Sequence, residues 1–267
     1  MEYQIYKCEN EDAEYVVLSS GLGGHASFWN PQITALNEHF HILSYDQEGC
    51  HANSALLADN YSMTHMAEQV FNILKKENIK QCHFIGHALG GHIGAELASL
   101  FTNTEFELLS LTSINAWDEL DAHTKKCFQA RIALLKHAGA EAYVRAQALF
   151  LYPSSWISMH ADQIEQAENN QLLDFPPQEN VLARLGALQK FKIEDKHISA
   201  LKNVKVHLIA NEDDFLVPVH KSFDLKNKIK HAKLSVFEYG AHASIVTQST
   251  DINDSILKFL LLESCIA

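Results

Sequence analysis

The stretch Ile85-Gly86-His87-Ala88-Leu89-Gly90-Gly91 decides how the rest of the chain is read. It follows the short apolar run Cys82–Ile85 and opens onto Ile93-Gly94-Ala95-Glu96-Leu97-Ala98-Ser99-Leu100, whose apolar spacing is helical. A strand, a sharp turn and a helix in that order make a nucleophile elbow. Glycines flank the strained turn residue there because a larger side chain at either position would collide with the turn or the packed helix. The elbow pattern is G-x-S-x-G, and this chain reads Gly86-His87-Ala88-Leu89-Gly90. A methyl group stands where the hydroxyl nucleophile would be, so the sequence keeps the scaffold of a catalytic turn and drops its reactive atom.

Working outward, strand-like and helix-like patterns alternate. Upstream, Tyr15-Val16-Val17-Leu18 is a β-rich run ending in the flexible Ser19-Ser20-Gly21-Leu22-Gly23-Gly24. Pro31 suits the first turn of a helix through Glu38, and His41–Asp46 reads as the next strand. Ser62 is placed to cap a helix whose Met66, Val70, Ile73 and Leu74 share one face. Downstream, Phe106–Leu111 is a strand. From Trp117 to Lys190 only helical patterns follow one another, with a break at Gly139. Lys205–Ala210 restores the β pattern, and a helix, the strand Lys233–Phe237, a loop through His242 and a closing helix finish the chain. This rhythm predicts an α/β protein with a mainly parallel sheet covered on both faces. It is read as one domain, with a core of residues 1–116 and 191–267 and a helical insertion over 117–190.

Composition narrows the partners. A chain of 267 residues with 47% apolar content buries a sizeable core. A formal net charge of −12 with no basic run disfavours nucleic acid and anionic membrane as partners. No stretch is apolar enough to span a bilayer, and no basic-then-apolar leader opens the chain. Five scattered cysteines without C-x-x-C spacing argue for reduced thiols, and a cytoplasmic location is expected. No cofactor is implied. Cys82, His83, His87 and His92 lie close in sequence, but His83 and His87 sit too far apart along a strand to meet at one ion, so no metal site is read.

Asp214 stands four residues before Pro218 in a D-x-x-x-P loop after a late strand, and Gly240-Ala241-His242 follows near the C-terminus. With the elbow and the insertion, in this order, these motifs resemble the α/β-hydrolase superfamily. The resemblance implies that fold, with a mostly parallel sheet of about eight strands and an inserted helical lid. On its pattern Asp214 is the acid and His242 the base, while Asp213 is expected to face solvent. A neutral imidazole accepts a proton near neutral pH, and a carboxylate on its other nitrogen fixes the tautomer. The backbone N–H groups of Leu22 and Leu89 are expected to form an oxyanion hole. With Ala88 at the nucleophile position, acyl-enzyme chemistry through this site is excluded. A base-activated water, pure ligand binding, or an esterase inactivated by a Ser→Ala change remain. Glu48, where many relatives of this fold carry a basic residue, has no reading from the sequence.

Within the insertion, Asn115-Ala116-Trp117, Ala122-His123-Thr124-Lys125-Lys126-Cys127-Phe128-Gln129 and Ala146-Gln147-Ala148-Leu149-Phe150-Leu151-Tyr152-Pro153 resemble the RutD hydrolases of uracil breakdown, in which alanine at the elbow belongs to the motif. This resemblance implies hydrolysis of carbamate or 3-aminoacrylate with release of ammonia. Both substrates break down in water unaided, which suits a site without a nucleophile. Both are anions, so a cation from the insertion is expected nearby: Arg131 or Arg184, with Arg145 weaker, each set against an exposed ion pair as its alternative. Asn115, Trp117, Phe150 and Tyr152 are the remaining candidates for substrate contact. The subunit number is left open, a homodimer being one option.

Overall fold

The computed structural model describes residues 2–263, so Cys265 lies outside the described residues. Seven strands form one sheet: β1 (Tyr3–Tyr6), β2 (Tyr15–Ser19), β3 (His41–Tyr45), β4 (Gln81–His87), β5 (Glu107–Ile114), β6 (Lys205–Asn211) and β7 (Lys233–Phe237). Their spatial order is β1-β3-β2-β4-β5-β6-β7, and every neighbouring pair is parallel except the edge pair β1 and β3. The count is one below the eight expected. Strand β1 is not legible in the sequence: Tyr3 and Ile5, packed on the core, alternate with the exposed Gln4, but four residues at the edge make that pattern too short to stand out.

Period-two alternation distributes the strand residues to the two faces. Val16, Leu18, Ile42, Ile85, Ile114 and Ile209 pack with Trp29 and Leu36, and with Ile252, Ile256 and Phe259. These come from helix α1 (Asn30–Asn37) and its lead-in and, at the far end of the chain, from α11 (Ser249–Glu263). Val17, Leu43, Phe84, Leu111 and Leu208 face the other way, onto α2 (Met63–Lys76), α3 (Leu89–Phe101) and α9 (His220–Lys228). Ser62 precedes α2 in extended geometry but makes no side-chain cap. Its hydroxyl bonds His65 Nδ1 at 2.7 Å instead.

Between β5 and β6 the described chain is helical: α4 (Ala122–Leu151), α5 (Ser154–Met159), α6 (Ala161–Leu173), α7 (Gln178–Lys190) and α8 (Asp195–Ala200). Asp121 caps α4 through Thr124 N–H at 2.8 Å, and α4 bends at Gly139, whose φ of 86° only glycine adopts freely. A short helix, α10 (Ser244–Thr247), precedes α11. Among the described residues no helix is long and apolar enough to cross a membrane.

Candidate active site

The turn between β4 and α3 has the geometry its sequence predicts. Ala88 sits at φ 48°, ψ −107°, a strained conformation held by packing on both sides. A Cβ on Gly86 would lie 2.2 Å from the carbonyl carbon of Gly90, and one on Gly90 would lie 2.0 Å from the carbonyl oxygen of Ser19. Both glycines are therefore fixed by backbone-to-backbone contact. The turn aims the Ala88 methyl into a cavity of about 650 Å³, lined also by Leu22, Leu89, Trp117, Arg131, Tyr152 and His242.

His242 comes from the loop after β7 and Asp214 from the loop after β6, neighbouring strands in the sheet. The two meet with His242 Nδ1 2.8 Å from Asp214 Oδ2, both side chains buried. The other carboxylate oxygen accepts the N–H groups of Leu216 and Val217 at 2.9 Å each. A carboxylate held in this way accepts a hydrogen bond from His242 Nδ1–H, which leaves Nε2 as the acceptor nitrogen of the ring, without a protein partner among the described residues.

The backbone beneath His242 is held from three directions. His87 Nε2–H donates to the His242 carbonyl at 2.7 Å, and Asn115 Nδ2 donates to the carbonyls of Ala241 (3.1 Å) and His242 (2.9 Å). Asp213, expected to face solvent, accepts the N–H groups of Gly240 at 3.1 Å and Ala241 at 2.7 Å. This is a correction with a clear cause: Ala241 has φ 52°, and a local carboxylate acceptor fixes that tight turn. The His87 ring meets His242 edge-on at 4.7 Å. Burial, together with the neighbouring His242, pushes the His87 pKa down to about 3, so this imidazole stays neutral.

Leu89 is the first residue of α3, so its N–H has no acceptor within the helix. The Leu22 N–H likewise has no acceptor among the described residues, and both residues line the cavity beside Ala88.

The candidate arginines separate cleanly. Arg145 is the ion-paired one, at 2.9 Å from Glu168 and 3.8 Å from Glu141 on the surface. Arg131 is buried and lines the cavity. It donates to Tyr143 Oη (3.1 Å) and Gln147 Oε1 (3.2 Å) and has no carboxylate partner among the described residues. Arg184 is also buried, but lies outside that cavity, donating to Gln47. Phe150 stands behind the wall with its ring 6.0 Å from the Arg131 guanidinium carbon, and Asn115 faces the His242 loop rather than the cavity. The Glu48 side chain is exposed, so the missing basic residue leaves no gap in the interior.

Sequence reading passed over the amides of Gln147, Asn170 and Gln171, which line the cavity from α4 and α6, as well as His25 and Asp174 at its edge. Polar residues on an amphipathic helix look alike whether they face solvent or a cavity, so no periodic signal marks them. The four residues weighed for a metal do not converge. His83 bonds Ser110 and Glu14, His87 the His242 carbonyl, and His92 the Trp117 carbonyl.

A parallel sheet, an elbow after its central strand, and an acid and a histidine on successive later strand ends define an α/β-hydrolase. The family described as "alpha/beta hydrolase fold" matches residues 15–248. An enol-lactonase from Burkholderia xenovorans LB400 superposes with a TM-score of 0.84 at 19% identity, covering 97% of this chain and 95% of that one. A thermophilic esterase from Thermogutta terrifontis does so with 0.79 at 16%, covering 97% and 92%. Within this fold the chain belongs to the RutD family. A protein of Acinetobacter baylyi named "Putative carbamate hydrolase RutD" is 54% identical over 260 residues, 97% of this chain and 98% of that protein. One of the same name from Pseudomonas syringae is 41% identical over 261 residues, covering 97% and 98%.

Proposed function

We propose that this protein hydrolyses a C–N bond in uracil breakdown, releasing ammonia from carbamate or 3-aminoacrylate by way of a water activated by His242. The observation that carries this reading is the 2.8 Å contact of His242 Nδ1 with Asp214, which leaves Nε2 as the free nitrogen of the ring beside a cavity where Ala88 offers no nucleophile. Water held over the methyl gives one proton to Nε2, and its oxygen bonds to the carbamate carbonyl carbon or to the imine carbon of tautomerised aminoacrylate. The Leu22 and Leu89 N–H groups take the developing negative oxygen, or the substrate carboxylate. The tetrahedral intermediate then breaks its C–N bond. With carbamate the nitrogen takes the proton back from His242 and leaves as ammonia, leaving bicarbonate. With the imine the nitrogen takes that proton to give a carbinolamine, then the hydroxyl proton as the C–N bond breaks, leaving as ammonia with an aldehyde acid behind.

Arg131 supports an anionic substrate. It is a buried guanidinium on the cavity wall, with neutral oxygens as its partners among the described residues. Trp117 and Tyr152 supply apolar wall. The Rut name of the relatives supplies the pathway and carbamate, while the cavity over Ala88 has room for either small substrate.

The test follows ammonia release from carbamate and from freshly generated 3-aminoacrylate, with and without protein. Acceleration of one of them, lost by about 10²–10⁴-fold in His242→Ala, is expected from removal of a general base. No acceleration of either would leave a ligand-binding protein on a hydrolase fold.

A further inference from the structure

At the edge of the cavity four potential ligands from two loops converge. His25 follows β2, and Asp46, Cys50 and His51 follow β3. One donor atom from each lies within 4.8 Å of every other. A tetrahedral Zn²⁺ with bonds of about 2.0–2.3 Å sets its ligands roughly 3.3–3.8 Å apart, so closing this shell takes movements of about 1 Å. The donor set of two imidazoles, a thiol and a carboxylate suits a borderline-soft ion and not Mg²⁺ or Ca²⁺, which take oxygen.

The surroundings orient the donors inward. His51 Nδ1 lies 2.6 Å from Asp174 Oδ2, and Asp174 Oδ1 accepts the Ala52 N–H at 2.9 Å. With Nδ1–H donating to Asp174, His51 Nε2 carries the lone pair. That atom is buried without a hydrogen-bond partner, 3.2 Å from Asp46 Oδ2. A carboxylate fixing the outer nitrogen of a ligating imidazole is the usual support of a metal-bound histidine. Asp46 has its other oxygen on the Ala26 N–H at 2.8 Å, leaving Oδ2 to face the cluster. Charge also closes. Asp46, Asp174 and a Cys50 thiolate carry three negative charges, against a divalent ion and the buried Arg184. Both Arg184 and Cys50 pack against Gly24.

We propose that His25, Asp46, Cys50 and His51 form a binding site for a divalent transition ion of the Zn²⁺ class, with Asp174 as the positioning carboxylate behind His51. The ion would tie the loops after β2 and β3 together. Through Asp174, which lies between α6 and α7, it would also tie them to the helical segment over the cavity. The site stands apart from the His242–Asp214 pair and does not rest on the proposed reaction. Without metal the same residues have one alternative arrangement, a protonated His51 bridging Asp46 and Asp174.

The probe is Co²⁺ added to the full-length protein freed of metal by chelation. Expected are one equivalent bound, a thiolate-to-cobalt charge-transfer band, d–d bands of four-coordinate strength, and displacement by Zn²⁺ but not by Mg²⁺. Cys50→Ser should abolish the charge-transfer band, while Cys8→Ser keeps it. Asp174→Asn should weaken binding by about 10–100-fold without removing the band at saturation. Asp46→Asn, which retains the acceptor for Ala26 N–H, provides a second ligand deletion should Cys50→Ser not fold. No band in the parent, or a band that survives Cys50→Ser, overturns the site and leaves the His51 bridge as the whole role of the cluster.

Discussion

Replacing Asp214 by asparagine keeps the shape of the site and inverts one proton. In the parent, Oδ1 accepts two backbone N–H groups, from Leu216 and Val217, and Oδ2 accepts the Nδ1 proton of His242. An asparagine has one oxygen for these two positions. With its oxygen towards the two N–H groups, its NH₂ faces His242 and demands an acceptor. Nδ1 must then surrender its proton to Nε2, and the imidazole can no longer deprotonate water. With the amide turned over, His242 keeps the working tautomer, but two buried N–H donors lose their acceptor and face an NH₂. Leaving each donor unsatisfied costs about 1–3 kcal/mol, so the wrong tautomer is favoured by about 2–6 kcal/mol. At about 1.4 kcal/mol per factor of ten, the working tautomer falls to between roughly one part in 30 and one part in 10⁴. Asp214→Asn should therefore lower kcat for ammonia release by about 30- to 10⁴-fold with little change in KM. Nitrogen-15 NMR of labelled histidine should show the His242 proton moved to Nε2, and the melting temperature should stay near that of the parent. Parental kcat in this variant, or a proton still on Nδ1 together with lost activity, would refute the assignment of Asp214 as the orienting acid.

Ala88→Ser should add an esterase burst of about one product per site with p-nitrophenyl acetate, since a hydroxyl at the elbow meets the base and the donors of Leu22 and Leu89. A missing burst would show that those donors are not preformed, and a His242-dependent burst in the parent would end the water mechanism. Stability should fall with acid. Burial, joined for His87 by the His242 charge and for His207 by Lys233, holds the pKa of His87 at about 3 and those of His92 and His207 at about 4, all below the ordinary 6.5. The stability these three contribute is present above about pH 6.5 and is lost as the pH falls through about 4 for His92 and His207 and about 3 for His87, at up to about 4 kcal/mol per pH unit near pH 5, where the unfolded chain binds about three more protons. Burial raises the pKa of Glu96, but hydrogen bonds from His197, Lys196 and Thr64 outweigh it and bring it to about 2, which adds a further loss below about pH 4.5. A melting temperature unchanged between about pH 7 and pH 5 would contradict this. Gly90→Ala should cost about 3 kcal/mol or more, because the new Cβ meets the Ser19 carbonyl. Gly186→Ala, in α7 with open space at its Cβ, should gain about 0.5–1 kcal/mol, and urea melts distinguish the two.

The sequence by itself determined the α/β class and the position of the elbow, and the resemblance of its motifs to the α/β-hydrolase superfamily pointed to Asp214 and His242. Each of these is written in local chemistry: apolar runs with period two or 3.6, glycines where backbones touch, and motif residues at short fixed spacings. Edge strand β1 escaped notice because its alternation of Tyr3 and Ile5 with Gln4 is only four residues long and half-exposed. What the tertiary structure alone decided are relations between segments far apart in the chain. Arg131 and Arg184 look equivalent in sequence, yet one lines the cavity and the other sits outside it, donating to Gln47. Asp213 and Asp214 are neighbours on one loop, and only the fold turns one to the His242 ring and the other to the backbone before it. The four residues at the cavity edge belong to loops after two separate strands, and no spacing rule links His25 to Asp46, Cys50 and His51. Parallel pairing of β2 with β3 brings these loops to the same end of the sheet. Contacts of that kind depend on which strands pair and in what direction, and that is settled by packing the whole core.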